Sequence, residues 1–265
     1  MKAYAKINLT LDVLRKREGN YHELNSVMQQ INLYDELIFE KSENIIVNSE
    51  FKDDIILKTA LELKELFNVN MGVKVDVKKN IPVEYGLGGG SSDAAAALIA
   101  LNELWELNLS KDELINVAME IGSDVPFFIG GRSCSVSGKG EKVEKIDMPE
   151  MNILLVNSGY GISTKEAYNE LDGKEYENKE SSVKLKKFSS VKEIAENIHN
   201  DFVHIQKEEV NDIINDLISN GALNASITGK GPTVFGIFEN EDMAIKAYDI
   251  LKDKYKFVIK TKTIV

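Results

Sequence analysis

Residues 86–92 read GLGGGSS, and DAAAALIALNEL follows at once. Four glycines in seven positions cost conformational entropy, so the cluster needs a reason. One reason is steric: a bulky anion has to come within hydrogen-bonding distance of the backbone. The next residues predict a helix over 93–107, because Ala94, Ala97, Leu98, Leu101, Leu104 and Trp105 recur at helical spacing. Ser91 or Ser92 is the expected N-cap. A glycine loop feeding a helix start offers unpaired N–H groups and the positive end of the helix dipole, which suits phosphate. The plainer alternative is a turn that caps an ordinary helix, but the density of glycine favours the anion site.

The rest of the composition narrows the setting. The net charge is −11 over 265 residues, which disfavours a general affinity for nucleic acid or for an acidic membrane surface. An anionic ligand must therefore be held by local loops and a few lysines. No apolar run approaches the ~18 residues of a membrane span, and MKAYAKINLT lacks the apolar core of a signal peptide. The single cysteine, Cys134, rules out an internal disulfide, and His22, His199 and His204 show no zinc-binding spacing with it. These features point to a cytoplasmic protein with a small-molecule partner, a monomer or weak homodimer, and no protein-built metal site.

Residues 3–13 alternate: Ala3, Ala5, Ile7, Leu9, Leu11 and Val13 on one face, Tyr4, Lys6, Asn8, Thr10 and Asp12 on the other. That predicts a half-buried strand. Further strands are expected at about 26–33, 36–41 and 73–78, and a helix at about 53–67. SKDE at 110–113 is a capping-box pattern that opens another helix, with Gly122 as its stop. Strands return through SCSVSG and NILLVNSG. Residues 172–188 are polar and aperiodic, which predicts a mobile surface loop. Two amphipathic helices are expected near 189–200 and 207–219, followed by strand, GKG turn, strand, helix and strand. Elements mix without strict alternation, so the class is α+β. A composition shift near 150 divides an N-terminal lobe (1–150) from a C-terminal lobe (151–265).

Familiar phosphate-binding signatures fail. The Gly-Lys pairs at 138, 173 and 229 do not complete a Walker A motif. The protein-kinase motifs H-R-D and D-F-G are absent. A dinucleotide fingerprint would need glycine where Ser91 stands, which disfavours an oxidoreductase.

Three separated pieces fit one family. AKINLTLDV (5–13), IPVEYGLGGGSSDAAAA (81–97) and ITGKGPTVFGIF (227–238) resemble the signature motifs of the GHMP kinases, the superfamily of galactokinase, homoserine kinase, mevalonate kinase and phosphomevalonate kinase. AKINL, YHEL (21–24), SDVPFF (123–128) and STKEAY (163–168) resemble its members that act on 4-diphosphocytidyl-2-C-methyl-D-erythritol, in isoprenoid precursor synthesis by the non-mevalonate route. The resemblance runs nearly end to end. It implies a two-lobed fold, with a mixed sheet-and-helix N-terminal lobe and a ferredoxin-like C-terminal lobe. It also implies ATP with Mg²⁺ as cofactors and a cytidine diphosphate substrate. A homoserine- or mevalonate-type kinase, or a non-catalytic ligand sensor of the same fold, is the alternative. The chain departs from the family's usual residues at Tyr4, Asn20, Glu84, Tyr85 and Lys230. Glu84 sets a negative charge beside the supposed phosphate loop, and Lys230 offsets part of it.

The resemblance assigns roles that the residues alone leave open. The phosphate cradle is Pro82, Val83, Glu84, Tyr85, Gly86, Leu87, Gly88, Gly89, Gly90, Ser91 and Ser92, with Ser91 or Ser92 reaching Mg²⁺. By its own neighbours Asp124 caps a turn before Pro126; the resemblance makes it the base. Lys6 reads as an ordinary solvated lysine on its strand; the resemblance moves it beside Asp124 and the moving phosphoryl group. Asn8 shares the Lys6 face and is a candidate for a substrate hydroxyl. Tyr21 and His22 are candidates to read the cytosine, and Tyr168 to close its other side.

Overall fold

The alternating segment at the start forms the long strand β1 (Lys2–Lys16) of a computed structural model. The structure describes residues 1–16, 22–49, 54–172, 188 and 190–265. After β1 come β2 (His22–Ser42), β3 (Ile45–Asn48), α1 (Ile55–Leu66) and β4 (Gly72–Lys78). Next are α2 (Gly89–Leu104), α3 (Lys111–Ile121), α4 (Val125–Gly130), β5 (Ser133–Gly138) and β6 (Lys142–Lys145). Then follow β7 (Asn152–Asn157), α5 (Thr164–Asp172), α6 (Val191–Asn197), β8 (His199–Asn200) and α7 (Glu208–Ser219). The last are β9 (Asn224–Ile227), β10 (Val234–Phe238), α8 (Glu241–Leu251) and β11 (Phe257–Lys262).

Two sheets result. The first runs β3-β4-β2-β1-β8, and β5 and β6 extend it from β2. The two strands expected at 26–33 and 36–41 are one continuous strand, β2. It pairs with β1 along one edge, while its other edge is shared between β5 at the start and β4 at the end. β8 comes from beyond residue 150 and pairs parallel with β1 at Thr10 and Leu11. The second sheet is antiparallel, in the order β11-β7-β10-β9.

Three of the four buried clusters among the described residues follow from the sequence patterns. Ala3, Leu37, Val73 and Val75 pack with α1, α2 and α3 under the first sheet. Leu154, Val156, Val234 and Phe238 pack with α7 and α8 under the second. Ile153, Leu155, Phe235 and Ile237 meet Ala5, Ile7 and Leu9 between the sheets. The unbroken apolar run of β7 is thus a strand covered on both faces. The run of alanines has the same kind of explanation: Ala94–Ala97 are all buried, so α2 is a central helix that only small side chains let the sheet and neighbouring helices approach. The SKDE capping box forms, with Ser110 and Glu113 bonding reciprocally, and Gly122 ends α3. Residues 173–187 of the stretch expected as a mobile loop lie outside the described residues, and Phe188 at its end is buried between the sheets.

β1 departs from expectation on its second face. Lys6, Asn8, Thr10 and Asp12 are all buried, so the strand is covered on both sides. Buried polar groups need partners. Thr10 Oγ1 accepts the Val27 N–H at 2.9 Å, and Asp12 Oδ1 meets His199 Nε2 at 2.8 Å. The bond to Asp12 raises the His199 imidazole above its ordinary value, against partial burial. A raised folded value means that this contribution to stability is complete below about pH 6.5. It is lost as the pH rises through the folded value. Urea midpoints of the wild-type chain should therefore fall between pH 6 and pH 9 by a component that His199→Gln lacks.

Candidate active site

The glycine loop opens α2 earlier than the sequence suggests. The helix starts at Gly89, and its N-cap is Gly88 in the left-handed region (φ 70°) with no side-chain cap. Ser91 and Ser92 are inside the first turns, which corrects their expected role as cap. Glycine is needed at Gly88 because a Cβ there would lie 2.9 Å from Lys6 Cγ. The first helical bond runs from Ser92 N–H to the Gly88 carbonyl at 2.9 Å. The N–H groups of Gly89, Gly90 and Ser91 precede it and stay outside the helical ladder. They form the start of a sixteen-residue dipole, an arrangement suited to an anion.

Hydrogen bonds tie this loop to β1 and to the turn after β9. Lys6 N–H donates to the Leu87 carbonyl at 2.9 Å. The Thr228 hydroxyl donates to the Gly86 carbonyl at 3.2 Å and accepts Asn8 N–H at 3.2 Å. The side chains of β1 continue the frame. Lys6 Nζ donates to Asn8 Oδ1 at 2.6 Å, and Gly229 N–H donates to the same oxygen at 2.9 Å. Asn8 Nδ2 donates to Ser26 Oγ at 2.8 Å. Asn8 is thus the clamp on Lys6. Burial pulls the Lys6 ammonium below its ordinary value, and the charge of Asp124 opposes this.

Asp124 directly precedes α4, yet its side chain makes no capping bond. That is the opposite of the turn-capping role its neighbours suggest. It faces a cleft of about 1060 Å³ whose walls come from both halves of the chain. Lys6, Asn8, His22, Tyr168 and the loop from Pro82 to Ser91 line the same cleft. Ser92 is buried and does not line it. Tyr21 lies outside the described residues. His22 and Tyr168 stack on each other, with centroids 4.6 Å apart and planes 19° apart. This separation leaves no room for a third ring, so Tyr168 braces His22 rather than facing it across a base. Tyr168 is itself set edge-on against Phe202 at 5.1 Å.

Several cleft residues escape sequence reasoning. Ser26 and Thr228 matter only through strand pairing and the meeting of the two sheets. Lys79 is held between Asp35 and Asp93, the latter at 2.5 Å. Asp35 Oδ1 also accepts the N–H of Ile81 at 2.8 Å. Burial, opposed by Lys79, pushes the Asp93 carboxyl up to about 7, and its Oδ1 has no hydrogen-bond partner. Alternating lysines in VKVDVKK gave no signal that Lys79 turns inward. Among the described residues, no group of three or more His, Cys, Asp or Glu side chains is placed to hold a metal ion.

Comparison with known proteins agrees with this geometry. The family model for the GHMP kinases N terminal domain matches residues 54–132, and that for GHMP kinases C terminal matches 181–256.

The chain belongs to the GHMP kinases.

Among these GHMP kinases, a relative from Caldanaerobacter subterraneus subsp. tengcongensis is 43% identical over 100% of this chain and 96% of its own. One from Caldicellulosiruptor bescii is 44% identical over 99% of this chain and 97% of its own. Both are named 4-diphosphocytidyl-2-C-methyl-D-erythritol kinase. A crystal structure of 4-(cytidine 5'-diphospho)-2C-methyl-D-erythritol kinase superposes with a TM-score of 0.84 at 25% identity, covering 99% of this chain and 98% of that one. Mevalonate kinase from Methanococcus jannaschii superposes with a TM-score of 0.76 at 14% identity, over 100% of this chain and 98% of that one, and shares the fold. No helix among the described residues is long and apolar enough to cross a membrane.

Proposed function

We propose that this GHMP kinase transfers the γ-phosphoryl group of ATP to the 2-hydroxyl of 4-diphosphocytidyl-2-C-methyl-D-erythritol, in isoprenoid precursor synthesis. One observation carries the reading: a single cleft joins the open start of α2, the Lys6–Asp124 pair and the braced His22 ring. The full-length relatives of the same name support it.

The residues divide the work. N–H groups at the start of α2 hold the phosphates, and Lys6 offsets charge on the moving group. Asp124 takes the proton of the 2-hydroxyl. The oxygen then bonds to the γ-phosphorus as the bond from that phosphorus to the β–γ bridging oxygen breaks. The products are ADP and the 2-phosphate, with no phosphoenzyme. Mg²⁺ bound with a nucleotide keeps most of its ligands from phosphate and water and needs one or two protein oxygens. Ser91 lines the cleft and offers one such oxygen, so the residues present fit it, and the ion would neutralise phosphate charge. His22 reads the cytosine edge.

His22→Ala tests the substrate. The cytosine lies far from the reacting hydroxyl, so its contacts act equally in ground and transition states and appear in KM. A lost hydrogen bond and the loosened ring should raise KM for the cytidine substrate about tenfold. KM for ATP and kcat should stay near wild type. An unchanged KM for the cytidine substrate would return the assignment to a GHMP kinase of another substrate.

A further inference from the structure

The cleft is lined by four lysines, Lys6, Lys79, Lys139 and Lys230, and by four carboxylates, Asp54, Glu84, Asp93 and Asp124. Their charges cancel, although the proposed reaction handles a triphosphate. Lys79 is already clamped by Asp35 and Asp93.

The position of Lys230 is set by its turn. Gly229 N–H is bonded to Asn8 Oδ1 at 2.9 Å, the same oxygen that holds Lys6. Gln206 Nε2 donates to the Lys230 carbonyl at 2.9 Å. A Cβ on Gly229 would lie 3.1 Å from Lys6 Nζ. The turn that carries Lys230 thus passes directly over the Lys6 head. Burial lowers the Lys230 ammonium below its ordinary value against the charges of Glu84, Asp124 and Glu166, and Lys230 in turn adds to the lowering of Lys6. Glu84 sits in the loop with a positive φ of 63°, a strained conformation for a side-chain-bearing residue. It brings an anion to the phosphate loop that a cation must offset.

We propose that Lys230 is a second cation of the phosphoryl-transfer site, meeting the γ-phosphoryl oxygens from the second-sheet side while Lys6 meets them from β1. The proposal rests on the kinase reading above. Lys230 then also offsets Glu84, which explains how the loop tolerates a carboxylate.

The test separates the γ-phosphate from the rest of the nucleotide and does not need the acceptor. The wild-type chain and Lys230→Ser are titrated calorimetrically with Mg²⁺ and either ADP or the non-hydrolysable analogue AMP-PNP. Losing one charge-assisted hydrogen bond should weaken AMP-PNP about tenfold or more. Binding of ADP should stay within about twofold, since ADP lacks the group contacted. Equal weakening of both nucleotides, or of neither, overturns the assignment. If Lys230→Ser does not keep the wild-type thermal midpoint, Lys230→Gln, which retains the stem, replaces it with the same two criteria. A wild-type chain that binds AMP-PNP but does not phosphorylate the cytidine substrate overturns the substrate reading and leaves the lysine assignment standing.

Discussion

Asp124→Asn is expected to lower kcat by about 10²–10⁴, the range for loss of a general base. Asparagine keeps the size of the side chain and loses its ability to take a proton. The fold should survive, because the Asp124 side chain caps nothing. Nucleotide affinity should change little, since the proposed function rests the phosphates on the start of α2. The pattern is thus the reverse of that for His22→Ala: a collapse of kcat at near-normal KM for both substrates. Steady-state rates with both substrates varied measure it. Retention of more than about a tenth of wild-type kcat is too much for a lost base and would remove Asp124 from that role.

Gly90→Val should abolish most ATP binding, by about a hundredfold or more, as one or two charge-assisted hydrogen bonds to phosphate are lost. The choice of glycine matters. A Cβ on Gly89 would meet Ile81 Cγ2 at 2.9 Å, and one on Gly86 would meet the Thr228 carbonyl oxygen at 2.3 Å. Changes there would disturb packing as well as ligand. A Cβ on Gly90 meets nothing within 4 Å, and Gly90 lines the cleft, so the new side chain enters open space there. Calorimetric titration should show lost ATP binding with cytidine-substrate binding kept and the thermal midpoint nearly unchanged. Undiminished ATP affinity would mean that the phosphates do not lie on this turn.

Local patterns made part of this fold readable. The capping box at Ser110 and the apolar run of β7 are complete within a few residues, so the sequence displays them. The glycine loop is equally local, although its cap is Gly88 and not a serine, because the left-handed turn rather than a hydroxyl starts α2. The second face of β1 was not readable. Alternation marks Lys6 and Asn8 as polar, but only Ser26 of β2 and Thr228 and Gly229 of the turn after β9 show that they are buried and bonded. The His22–Tyr168 stack joins the start of β2 to α5, and the Asp35–Lys79–Asp93 cluster joins a strand, a loop and a helix. No periodicity within one element carries such information.

The clamp between Asn8 and Gly229 spans 221 positions of the chain. During synthesis on the ribosome, β1 emerges well before β7 and β10, and its apolar residues Ala5, Ile7 and Leu9 wait for Ile153 and Leu155 of β7 and Phe235 and Ile237 of β10 to complete their cover. At about 5–20 residues per second, that leaves β1 exposed for roughly ten seconds or more. The region that will hold the reacting groups is therefore the one that spends longest open to mispairing. A nascent chain of this design depends on chaperones most while its first sheet has been made and its second has not.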